Sequence, residues 1–169
     1  MRNPVTSVVI AGLGGQGVLK ASDILGDAVF RAGHDVKKAE VHGMSQRGGS
    51  VNSDVRFGPR VFSPMVPFGE ADFLVVLTPD QLENNRGYLK PGGVLIEPSH
   101  VDATQLENKR SLNVAMLGCL SRHLDLPEAC WQAALEANLP PTLLESNLRA
   151  FALGREQGPL PDPTSSARP

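Results

Sequence analysis

A chain of 169 residues suits one domain, and by surface scaling it buries roughly 69% of the surface its unfolded form would expose. Hydrophobic residues at 41%, charged residues at 20% and a net charge of −2 exclude the disordered class. They also exclude a binder that holds nucleic acid by neutralising phosphates, which needs a basic excess. Cys119 and Cys130 are the only cysteines, too few for an iron–sulfur cluster or a disulfide framework. Free thiols in helical surroundings read as buried small hydrophobes in a reducing compartment. The apolar run Val5 to Leu13 is far shorter than a membrane span. A cytoplasmic protein with no membrane or nucleic-acid partner is expected.

Thr6 to Gly12 is β-branched and ends in glycine, the pattern of a strand buried on both faces. From Gln16 to Ala32 the period changes: Val18, Ala21, Leu25, Ala28 and Val29 recur at helical steps, and Gly33 falls where a terminating glycine belongs. Asp35 to Val41 follows as a second strand, completing a strand–helix–strand unit whose strands should run parallel. Ser50 to Phe57 alternates, with Asn52, Asp54 and Arg56 on the side expected to face water. Gly58-Pro59 predicts a turn and Arg60-Val61-Phe62 a short antiparallel return.

Phe73 to Leu77 is another buried strand, and Thr78-Pro79-Asp80 a helix start with proline in the first turn. Lys90-Pro91-Gly92-Gly93 fits a type II turn before the strand Val94 to Ile96. Leu112 to Leu124, Glu128 to Asn138 and Thr142 to Leu153 read as three helices, separated by Pro127 and Pro140-Pro141. The expected fold is a three-layer α/β/α, Rossmann-like single domain, with a mixed, mostly parallel sheet and a helical C-terminal third. Residues 1–155 would form the domain. Residues 156–169, rich in proline, would be a tail that is loose in isolation or lies along a partner.

Two stretches carry chemistry. Gly12-Leu13-Gly14-Gly15-Gln16-Gly17 follows a strand and opens a helix, the context in which G-x-G-x-x-G presents backbone amides to an anion. The same glycines could serve only close packing. A dinucleotide site would want an acid at the end of the second strand, where Glu40 stands, and a free-standing NAD-binding oxidoreductase is the alternative reading. The second stretch runs from Glu40 through His42, Gly43, Met44, Ser45, Gln46, Arg47, Gly48 and Gly49 to Val51. Arg47 offers a planar fork of donors for carboxylate or phosphate, and loops at the carboxyl ends of strands line the ligand crevice of such sheets. His42 is a proton carrier or a hydrogen-bonding spacer.

Together these motifs resemble the gamma-type domain of the 2-oxoacid:ferredoxin oxidoreductases, and within that family the small (beta) subunits of the indolepyruvate-oxidising type. The resemblance spans about residues 5 to 155 and is most specific over Gly43 to Gly49. It implies a complex that oxidatively decarboxylates an aryl 2-oxoacid, passes the acyl group to coenzyme A (CoA) and sends electrons to ferredoxin. Thiamine diphosphate sites of this family use Gly-Asp-Gly with a following Asn pair. Here Gly26-Asp27 is followed by Ala28, and Asn84-Asn85 lies far along the chain. Thiamine diphosphate, magnesium and [4Fe–4S] clusters are therefore expected on a larger partner subunit, and this chain alone should be silent. Arg47 is the candidate catalytic residue. Gly12, Gly14, Gly15, Gln16 and Gly17 would hold CoA phosphate or brace a subunit interface, leaving a non-catalytic scaffold as the third reading. No resident metal is expected.

Overall fold

The run Thr6–Leu13 forms the central strand, β1, and its Val8, Val9, Ile10 and Ala11 are wholly buried. In the computed structural model, which describes residues 4–42 and 49–162, four further strands flank it. These are β2 (Asp35–His42), β3 (Ser50–Gly58), β4 (Ala71–Val76) and β5 (Leu89–Ile96), in the order β2-β3-β1-β4-β5. β4 is parallel to β1 and to β5, whereas β3 is antiparallel to both β1 and β2. Four strands thus share one direction and β3 alone is reversed.

Helix α1 (Val18–Arg31) joins β1 to β2. It ends in a Schellman motif, with the Gly33 amide donating to Phe30 O (3.0 Å) and the His34 amide to Val29 O (3.1 Å). Gly33 takes the left-handed conformation this requires, at φ 92°. β1 and β2 do run in the same direction, but β3 lies between them, so they are not neighbours. The expected return strand at Arg60–Phe62 does not form. Pro59, Pro64 and Pro67 remove ladder donors from that segment, and side chains hold it instead. Asp35 Oδ2 accepts from the Val61 amide at 2.7 Å and Asp54 Oδ2 from the Val66 amide at 2.8 Å.

This segment also corrects the reading of β3. Asn52, Asp54 and Arg56 do not face open water but lie beneath a cover. Arg56 donates to Ser63 O (3.0 Å), Met65 O (3.3 Å) and Ser7 Oγ (3.1 Å), and Asn52 donates to Asn85 Oδ1 (2.6 Å). The polar side of an alternating strand is therefore used to strap the loop 59–70 onto the sheet. With the short helix α2 (Leu82–Asn85) and its flanking 3-10 turns, Pro79–Gln81 and Arg86–Tyr88, that loop forms one outer layer. Val9, Ala11, Leu74 and Val76 pack under it against Val66 and Leu82.

The opposite face carries the main core. Val8, Ile10, Val55 and Val75 meet α1 and the three C-terminal helices, α3 (Leu112–Ser121), α4 (Glu128–Asn138) and α5 (Pro141–Gln157). α3 and α5 touch backbone to backbone, since a methyl built on Gly154 would collide with Ala115 O and one on Gly118 with Phe151 O. The turn at Lys90–Gly93 interrupts β5 rather than preceding it, because Ala71 pairs with Leu89 but Phe73 already pairs with Val94. Three 3-10 turns, Pro98–His100, Ala103–Gln105 and Lys109–Ser111, lead from β5 into α3.

Candidate functional site

β1 delivers the glycine run to the carboxyl edge of the sheet, where the chain closes a tight turn on itself. The Leu13 amide donates to Gln16 Oε1 (2.7 Å), and the Gln16 amide donates to Leu13 O (3.1 Å). Gln16 therefore braces the turn with its carbonyl oxygen. Gly12 is required by crowding: a Cβ there would lie 2.8 Å from Val18 Cγ2 and 3.2 Å from Leu77 Cβ. Gly17 has φ 83° and packs so closely on Asn113 that a Cβ would overlap its side-chain amide. Gly15, at φ 85°, meets open space.

Gly17 is also the N-cap of α1, with no side-chain cap and no acid in the first turn. Among the described residues, no side chain caps the first-turn amides at the positive end of the helix field. The Gly14 amide donates to Gly49 O (2.9 Å), which ties the glycine turn to the end of the second motif. His42 ends β2 opposite Val51 of β3. Gly43, Met44, Ser45, Gln46, Arg47 and Gly48 lie outside the described residues.

Two cavities adjoin the turn and share Gly15 and Gly17 as lining residues. One, of about 300 Å³, is lined also by Gln16, Leu77, Lys109, Arg110, Leu112 and Asn113. The other, of about 400 Å³, is lined by Leu13, Gly14, Val18, Leu19, Lys20, His42 and Val51. Among the described residues, no Asp or Glu lines either cavity. Leu77, whose amide donates to Ala11 O (2.8 Å), extends β4 beside β1. The first cavity thus opens where connections leave the sheet in opposite directions, the ordinary ligand crevice of such sheets.

Lys109, Arg110 and Asn113 were not legible as site residues, being more than ninety positions from the turn. One local signal existed. Two adjacent cations precede the helix α3, where the helix field favours acids. Glu40, the acid a dinucleotide reading needs, is separated from β1 by the whole of β3. That places its strand about 9–10 Å from the glycine turn's strand, two strand spacings away. Burial pushes the Cys119 thiol up to about 11, which keeps it protonated and inert. Among the described residues, no three His, Cys, Asp or Glu side chains gather in metal-binding geometry, and no helix is long and apolar enough to cross a membrane.

The sequence profile of the family described as pyruvate ferredoxin/flavodoxin oxidoreductase matches residues 7–157. The chain is 35% identical to the indolepyruvate oxidoreductase subunit IorB of Thermococcus kodakarensis, over 88% of this chain and 93% of that one. It is 33% identical to the subunit of the same name from Pyrococcus horikoshii over the same shares. The keto/oxoacid ferredoxin oxidoreductase gamma subunit of Geobacter sulfurreducens superposes with a TM-score of 0.77 at 22% identity, covering 90% of this chain and 97% of its own. The 2-oxoglutarate:ferredoxin oxidoreductase of Magnetococcus marinus, solved with 2-oxoglutarate, coenzyme A and succinyl-CoA bound, gives 0.82 at 20% identity over 96% of this chain and 33% of its own. These two structures share the fold, and the profile match over nearly the whole chain, with the 35% identical relative, assigns the family: this protein belongs to the pyruvate ferredoxin/flavodoxin oxidoreductase family.

Proposed function

We propose that this chain is the small subunit of a thiamine-dependent 2-oxoacid:ferredoxin oxidoreductase. Its substrate is an aryl pyruvate such as indolepyruvate, and its product an acyl-CoA. The names of the relatives from Thermococcus and Pyrococcus support the substrate class. Thiamine diphosphate, magnesium and [4Fe–4S] clusters belong to a larger partner subunit in this reading, ferredoxin takes the electrons, and the complex works in the cytoplasm. The proline-rich end of the chain beyond α5 would lie along the partner.

One observation carries the role of this chain: among the described residues, the crevice at the glycine turn is free of acids and lined by Lys109 and Arg110. Its neighbouring α1 amides have no side-chain cap. That donor set fits the phosphates of CoA, which supplies the acceptor thiol when bound. The chain's own groups would hold the anionic oxygens, and Arg47 would add a charge-assisted, bidentate contact. Kinetics of the complex test this. Gly15→Val, which forces a β-branched residue into φ 85°, and Arg47→Ala should each raise the CoA Michaelis constant. A lost charged hydrogen bond is worth about 1.5–3 kcal/mol, on the order of 10- to 150-fold in affinity. Unchanged CoA dependence in both variants would sink the acceptor-site reading.

In a second reading the turn serves structure and braces a subunit interface. The Gly14 amide is committed to Gly49 O, so part of the turn serves structure. Under that reading the same variants dissociate the complex.

A further inference from the structure

We infer that the loop 59–70 is the surface on which the larger, thiamine-bearing subunit docks, with Phe62, Met65 and Phe68 as the anchors it buries. This rests on the small-subunit reading and adds the face of the fold through which the complex is built.

The two faces of the sheet are covered unequally. One carries α1, α3, α4 and α5, whereas the other carries the loop 59–70, the four-residue helix α2 and two 3-10 turns. The thin layer is also the one with apolar groups in water. Among the described residues, seven large hydrophobic side chains are exposed, and three of them stand on this one loop: Phe62 (77%), Met65 (51%) and Phe68 (72%). Clustered aromatic residues and methionine are the composition of an interface core rather than of a wet surface.

The loop holds these side chains ready. Pro59, Pro64 and Pro67 fix its backbone, and Arg56 donates to the carbonyls on either side of Pro64, those of Ser63 and Met65. The Gly69 amide donates to Gly87 O at 2.8 Å. Phe68 stacks on Tyr88 with ring centroids 4.4 Å apart, and the Arg60 guanidinium lies 5.0 Å from the centre of the Phe62 ring. The anchors are thus set in place before any partner arrives, so docking loses little conformational freedom.

Position names the occupant. Asn52 in β3 donates to Asn85 of α2, and Gly49, just ahead of β3, accepts from the Gly14 amide of the glycine turn. The thin layer is therefore continuous with the rim of the crevice. A subunit that brings thiamine to an acceptor in that crevice sits beside this layer and can extend over it. The matching fold in the Magnetococcus marinus structure is 33% of one longer polypeptide, so there too it comes joined to a larger body.

The test compares the full chain alone with the complex purified through it. Amide hydrogen exchange over residues 59–70 should be slower in the complex than in the free chain. Binding of the larger polypeptide, identified by its thiamine diphosphate and iron, is then measured for Phe62→Glu/Met65→Glu. The control is Phe30→Glu, at a side chain 67% exposed on α1, across the sheet from the loop. The double variant should weaken binding by about 30-fold or more, the loss of one truncated hot spot, and Phe30→Glu by less than about twofold. Should the double variant melt lower than the natural chain, the exchange comparison on the natural chain decides. Unchanged exchange over 59–70, or a stable double variant that binds the larger polypeptide as the natural chain does, overturns the docking inference and leaves the small-subunit reading standing. So does protection of the loop by a second copy of this chain before the larger polypeptide is added. A natural chain that holds no such polypeptide overturns both.

Discussion

The side-chain amide of Asn113, the second residue of α3, donates to the carbonyl oxygen of Gly17 at 3.1 Å, across 96 positions of sequence. Asn113 is only 7% exposed and fills the space that a Cβ on Gly17 would need. It therefore fixes the last residue of the glycine turn to a helix that arrives from the far end of the chain. Asn113→Ala removes a neutral hydrogen bond worth about 0.5–1.5 kcal/mol. CoA affinity of the complex should fall by roughly two- to tenfold, with little change in assembly. An unaltered affinity would show that the turn keeps its shape without this tie.

A second prediction concerns the contact between α3 and α5. Their separation is set by Gly118 and Gly154, whose α-carbons leave no room for a methyl against Phe151 O and Ala115 O. Because the obstacles are backbone atoms, no rotamer change can relieve them. Gly154→Ala should cost about 3 kcal/mol, the upper end for overpacking, and lower the melting temperature by about 6–12 °C in a domain of this size. The same substitution at Gly15, where the space is open, strains only the local backbone and should cost much less. Thermal melting of the two variants side by side decides it. Equal losses would contradict the packing account.

The third prediction follows from Asp54, a carboxylate only 3% exposed in the middle of β3. Burial raises its pKa above the ordinary 3.8, although the Val66 amide and the Arg56 guanidinium pull the other way. A raised folded-state pKa means the folded protein binds this proton more tightly than the unfolded chain does. The stabilising share is complete below the ordinary value and is lost as pH rises through the folded value. At neutral pH the charge is a net cost. Asp54→Asn keeps an oxygen for the Val66 amide and removes that charge. The variant should melt higher than the natural protein at pH 7, and the advantage should shrink as pH falls toward 4. A variant that loses stability at pH 7 would show that the carboxylate's contacts outweigh its desolvation.

Much of this was legible because the signals are local. The buried run at Val8–Ala11, the helical period from Val18 and the stop at Gly33 each depend on neighbours within a turn, and they fold as read. The glycine turn was legible for the same reason. What failed depends on distant partners. Nothing near Asn52, Asp54 and Arg56 announces that a proline-rich loop will lie over them, so an alternating strand looked half-wet. The insertion of β3 between β1 and β2 is a choice of topology, and periodicity carries no information about it. Lys109, Arg110 and Asn113 reach the site through three irregular 3-10 turns, where no period exists to read.

As the small subunit of a 2-oxoacid oxidoreductase, this chain should be inactive by itself. Affinity purification through this chain from its native cell, followed by anaerobic assay with indolepyruvate, CoA and ferredoxin, tests it most directly. A larger polypeptide carrying thiamine diphosphate and iron should co-purify in fixed ratio. Ferredoxin reduction should need both subunits and CoA, with the acyl-CoA as product. A chain that purifies alone, or that oxidises the 2-oxoacid without a partner, would contradict it.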